Sequence, residues 1–123
     1  MKRNCHTLVM ILTVCFALLV PLPAGASSRN PLATLPVKVR HEFACIMWHE
    51  SRSTISHPNL GDNRSDGGSS GVFQIVPLTW NRWAPLVGVR VPVWRASYVQ
   101  QQLVAIEIWR KDTFAPWRFD GCV

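Results

Sequence analysis

Four cysteines punctuate the chain, at positions 5, 15, 45 and 122, and an apolar leader sets the first pair apart from the second. Lys2, Arg3 and His6 make a basic start, and Leu8 to Val20 is an apolar run broken only by Thr13. Pro21-Leu22-Pro23 ends the run, and Ala24-Gly25-Ala26 offers the small residues that a signal peptidase requires. The run is shorter than the roughly 20 residues that span a bilayer, so residues 1–26 read as a signal peptide cleaved near Ala26. Export removes Cys5 and Cys15 and delivers Cys45 and Cys122 to an oxidising compartment, where two thiols read as one disulfide. Two buried free thiols are the alternative, and a rarer state for an exported chain. A bridge would close most of the remaining chain into a single loop, worth about 4–5 kcal/mol in the chain-entropy account. A domain of about 100 residues has little core to spare, so this constraint outweighs any other in the sequence.

Residues 27–123 are 97 in number, enough for one domain. Without Lys2 and Arg3, eleven basic residues face seven acidic ones, a net charge of +4, and all six tryptophans remain. A modest surplus made mostly of arginine suits an anionic polymer such as cell wall or teichoic acid. Nucleic acid is the usual competing partner, but an exported chain meets little of it, and no basic run of five or more is present. No internal repeat or low-complexity tract divides the chain. Once the leader is cut, nothing in the sequence keeps the chain on a membrane.

Ser27 to Leu35 is small, polar and Pro-containing, and reads as a short leader onto a domain at 36–123. The first helix is expected to begin near Thr34 as N-cap, with Pro36 in its first turn. Val39, Phe43, Ile46 and Met47 recur at helical spacing, and Glu50 continues that apolar stripe. From Ser51 to Gly71 the chain is rich in Ser, Gly, Asn and Asp, and has room for a short irregular hairpin but not for a regular helix. Gly71 to Ile75 is a compact apolar segment, and Pro77 can open a second helix running through Trp83. Ala84 to Val93 reads as a connection. Ser97 and Gln100 form a capping box for a third helix, with Val99, Leu103 and Ile106 on its core face. A tail from Thr113 would be pinned back by Cys122. The expected class is a mainly helical α+β domain, since neither alternating strands nor βαβ units appear.

Glu50 is the residue best placed for chemistry. Partial burial against Ile46, Met47 and Trp48 would disfavour its carboxylate and keep it protonated, as a general acid must be. An exposed, solvated acid at a helix end is the ordinary alternative. Gln74, beside Phe73 and Gly71, supplies an amide next to a backbone that a ligand can approach closely. Trp48, Trp80, Trp83 and Trp117 offer flat apolar faces with a polar N–H, although core packing is the usual fate of such residues. His41, Cys45 and His49 share one helical face at zinc-like spacing. The zincin pattern, however, needs His at position 45, and Cys45 has a disulfide partner in Cys122, so no metal is expected.

Taken in order, Cys45-Ile46-Met47-Trp48-His49-Glu50-Ser51-Arg52, Gly71-Val72-Phe73-Gln74-Ile75, Thr79-Trp80, Gln101-Gln102, Ala105, Pro116-Trp117 and Cys122 resemble the resuscitation-promoting-factor and lytic-transglycosylase-like group. The resemblance covers about residues 36–122. It implies a small lysozyme-like domain with a Cys45–Cys122 bridge, acting as a monomer without a cofactor. It also implies peptidoglycan glycan strands as substrate, cut between N-acetylmuramic acid and N-acetylglucosamine by Glu50 as general acid and later base. Gln74 and Trp117 fall on substrate-contacting and tail positions of that pattern, with Gly71, Phe73, Trp48 and Trp80 around them. The expected location is extracellular and wall-associated, or the periplasm of a diderm bacterium. The sequence departs from the group in Val76-Pro77, where some relatives carry an acid, in a tail without glycines before Pro116, and in a long insert from Ser51 to Ser70. A second acid, if used, would be Asp62 or Asp66 within that insert, where Asp normally makes turns. A lytic transglycosylase, a hydrolytic muramidase and a non-catalytic wall-glycan-binding module are therefore the readings to separate, with a zinc peptidase well behind.

Overall fold

The computed structural model describes residues 30–60, 65–118 and 120–123. The expected signal peptide lies outside them. Three helices carry the fold: α1 (Val37–Ser51), α2 (Pro77–Trp83) and α3 (Tyr98–Asp112). Short 3-10 turns at Pro31–Thr34, Ala84–Val87, Val93–Arg95 and Ala115–Trp117 lie before α1, between α2 and α3, and after α3. Among the described residues the β component is a single antiparallel bridge between Ser70 and Ile75, so the domain is helical with no named strand. No helix among them is long and apolar enough to cross a membrane.

The start of α1 differs from the sequence expectation. Thr34 closes the preceding 3-10 turn by donating its hydroxyl to the Pro31 carbonyl at 2.8 Å, and Pro36 itself is the N-cap of α1. The cause is steric: a residue before proline is pushed out of the helical region, and Leu35 is extended at φ −86° and ψ 159°. The helix ends at Arg52 in the left-handed conformation, with φ 58°. α2 opens on Pro77 as expected, where a missing N–H is harmless. The capping box of α3 is formed, Ser97 Oγ accepting from Gln100 N–H at 3.2 Å and Gln100 Oε1 from Ser97 N–H at 2.9 Å.

The core face of α3 is rotated from the one expected. Val99 and Leu103 are only half-buried, whereas Gln101, Gln102, Val104, Ala105, Ile106 and Ile108 are buried. Two glutamines thus occupy positions where a periodicity argument looks for apolar residues. Gln101 has a clear reason to be there. Its Oε1 accepts from Val72 N–H at 2.8 Å and its Nε2 donates to the Ala96 carbonyl at 3.0 Å, satisfying two buried backbone groups.

Phe43 of α1 is the hub of the core. Its ring meets Phe73, Phe114, Trp109 and Trp117 edge-on, with centroids 5.0 to 6.5 Å apart, a favoured aromatic geometry. These contacts fasten the 71–75 turn, the end of α3 and the tail to α1. The Cys45–Cys122 disulfide is formed, with Cα atoms 5.6 Å apart, and locks the tail onto α1.

Candidate active site

Glu50 sits in the last turn of α1, where the buried stripe of Phe43, Ile46 and Met47 reaches the surface. It lines a cleft of about 240 Å³ together with Gln74, Ile75, Val76, Thr79, Pro116 and Trp117. The carboxyl group is pushed up from 4.5 to about 7, first by burial, then by the negative charge of Asp120 and by a hydrogen bond with it. Written as two carboxylates, the pair leaves Asp120 Oδ2 buried without a donor. With Glu50 protonated, its O–H supplies the hydrogen bond between the two groups.

Asp120 is the acid that sequence reasoning missed. It lies 70 residues from Glu50 in the chain, and the signal that could have found it is its place two residues before Cys122. A disulfide back to α1 must bring that stretch close to Glu50. Of the two acids expected for the role, Asp66 is not brought in. Asp66 is exposed and does not line the cleft; its Oδ1 accepts from Gly68 N–H at 3.1 Å, as a turn-making Asp does. Asp62 lies outside the described residues.

The segment opposite Glu50 is held by hydroxyl groups. Asn59 N–H donates to Ser53 Oγ at 2.8 Å, Ser53 and Ser51 share a hydrogen bond of 2.6 Å, and Ser51 donates to the Val72 carbonyl at 2.9 Å. Ser51 and Ser53 are buried, so the Glu-Ser pair has a structural logic. The serine ties the helix end that carries the acid to the turn that carries Gln74. Gln74 itself adopts φ 47°, a left-handed conformation unusual for its residue type. Its Nε2 donates to the Gly71 carbonyl at 2.9 Å and its Oε1 accepts from Ser69 Oγ at 2.9 Å, which aims and fixes the amide at the cleft wall. Backbone of this kind costs on the order of 1–3 kcal/mol and concentrates at functional sites.

Several residues expected at the site serve the core instead. Phe73 is fully buried, and its carbonyl accepts from Trp117 Nε1–H at 2.9 Å. Trp117 reaches the cleft floor but is 2% exposed, and Trp80 is 1% exposed with its Nε1–H given to the Val91 carbonyl. Neither offers a free face for stacking. Gly71 is buried with φ 79°, and a Cβ there would collide with Gln101 Oε1. The close approach that glycine permits is to Gln101, not to a ligand. Trp48 is 50% exposed, with the Arg52 guanidinium 5.5 Å from its ring centroid, and does not line the cleft. The core claims these rings because a small domain needs large side chains to fill it.

The zinc reading does not survive. His49 lies within 4.8 Å of both Sγ atoms, but Cys45 and Cys122 are bonded to each other and have no thiolate to give. A second cavity of about 390 Å³, between α2 and residues 84–92, has Trp80, Asn81 and Arg90 in its wall and no acid. The fold and site therefore define a small helical domain, closed by one disulfide, that presents Glu50, its carboxyl pushed up to about 7, in a cleft. No protein-family model, curated protein or solved structure matches the chain.

Proposed function

We propose that this chain is an exported peptidoglycan-cleaving enzyme with a lysozyme-like fold, acting on the bond between N-acetylmuramic acid and N-acetylglucosamine, with Glu50 as its acid. The observation that carries the reading is Glu50, protonated near neutral pH at the wall of a cleft beside a fixed amide. Glu50 gives its proton to the glycosidic oxygen as the C1–O bond breaks. The resulting carboxylate then takes the proton of the muramoyl 6-hydroxyl as that oxygen bonds to C1, which closes a 1,6-anhydro ring and restores the acid. Two-carboxylate glycosidases need groups about 5–5.5 Å apart to retain configuration and about 6.5–9.5 Å to invert it. Among the described residues Glu50 is the one carboxyl group in the cleft lining, and Asp120 is not part of it. That favours the anhydro-forming route over hydrolysis.

Glu50→Gln is expected to abolish release of soluble fragments from purified cell wall while leaving wall binding and the helical circular dichroism spectrum unchanged. Release at the wild-type rate would remove Glu50 from the mechanism. Mass spectrometry of the products separates the alternatives: anhydro ends mark transglycosylation and reducing ends mark hydrolysis. A wild type that binds wall but releases nothing is a binding module.

A further inference from the structure

We propose that Asp120 is a positioning residue for Glu50: seated by the neighbouring Cys45–Cys122 bridge, it holds the Glu50 carboxylic acid in the cleft through a shared hydrogen bond. The inference deepens the reading of Glu50 as the acid and rests on it. Three observations converge. Asp120 belongs to the tail, and its backbone N–H donates to the Trp117 carbonyl at 3.0 Å, which fixes the turn that presents it. Cys122, two residues on, is bonded to Cys45, five residues before Glu50 on α1. Asp120 Oδ2 is buried with no hydrogen-bond donor among the described residues, and the Asp120 charge acts on the Glu50 carboxyl.

No other charged group competes for this role among the described residues of the cleft wall. Gln74, Ile75, Val76, Thr79, Pro116 and Trp117 are uncharged. On α1 and its cap, His49 and Arg52 are exposed, with Arg52 laid over Trp48; on the tail, Arg118 is exposed and engaged in an interaction of its own. The bridge therefore has a second effect besides restricting the unfolded chain. It fixes the distance between two carboxyl groups that would otherwise separate by charge repulsion once Glu50 ionises.

The test is the pH dependence of wall-fragment release by the wild type and by Asp120→Asn, with a 13C NMR titration of the glutamate carboxyls run beside it. Glu50→Gln identifies the Glu50 resonance against those of Glu42 and Glu107. Asn has the shape of Asp without its charge, so the cleft should keep its form. The alkaline limb of activity and the Glu50 midpoint should both fall by about one pH unit, because burial, the larger cause, remains. The rate on the acid side should stay within about twofold, since there Glu50 is protonated in either protein. The double variant Cys45→Ser, Cys122→Ser, or the wild type treated with a dithiol reductant, should move the midpoint the same way while the helical spectrum persists. A midpoint unmoved in Asp120→Asn overturns the proposal. A midpoint moved there but unmoved without the bridge overturns the bridge's part in it. If the wild type releases no fragments, the enzymatic reading fails, and the NMR midpoint still decides the Asp120–Glu50 pairing.

Discussion

Glu50 carries a cost in stability. Its folded carboxyl titrates near 7 against 4.5 ordinarily, so between those values the native state binds more protons than the unfolded one. The contribution favourable to the fold is complete below about pH 4.5 and is lost as pH rises through about 7. Glu50→Gln, which cannot ionise, should therefore be more stable than the wild type above pH 7, with the gap closing towards pH 4.5. Urea midpoints of the two proteins across pH 4–8 measure this, and a gap that stays constant with pH would contradict it. At this scale the acid was legible from the sequence, because an apolar stripe running into a glutamate shows up in local spacing alone. Asp120 was not legible, because its partner is 70 residues away and no local period connects them. That Phe73, Trp80 and Trp117 pack inward was not legible for a related reason. Whether an aromatic ring packs inward or lies open depends on neighbours that a short window does not contain.

At the scale of elements, punctuation was read more accurately than faces. Pro77 and the Ser97–Gln100 box act through atoms within four residues of each other, so α2 and the start of α3 were correctly placed. The face of α3 was misjudged because Gln101 and Gln102 are buried. Gln101 pairs with Val72 and Ala96, groups supplied by other segments, and only the folded chain offers them. Gln102 is different. It is fully buried and neither atom of its amide has a hydrogen-bond partner among the described residues. Nothing in the structure explains why an amide stands here. Gln102→Met keeps the length and removes both polar atoms. It should raise stability by about 1–3 kcal/mol, read as a higher denaturant midpoint with an unchanged slope. A loss of stability would mean that the amide has a partner after all.

For the whole molecule the decisive connection is the Cys45–Cys122 bridge, which spans 77 residues. Cys122→Ser should lower stability by about 2–5 kcal/mol in denaturant titration, and an unchanged midpoint would show that the bridge restrains little. The two cysteines, the export expected of the chain and the run of helix signals were enough to anticipate a small, mainly helical, disulfide-closed domain with Glu50 at the end of its first helix. All of these rest on short-range periodicity, capping chemistry and redox compartment, which a linear chain carries on its face. Only the tertiary structure decided that the acid acting on Glu50 is Asp120, that Gln74 is clamped between Ser69 and Gly71, and that Trp80 and Trp117 belong to the core. Those outcomes depend on which distant segments share one small interior, and burial and charge act through space, not along the chain.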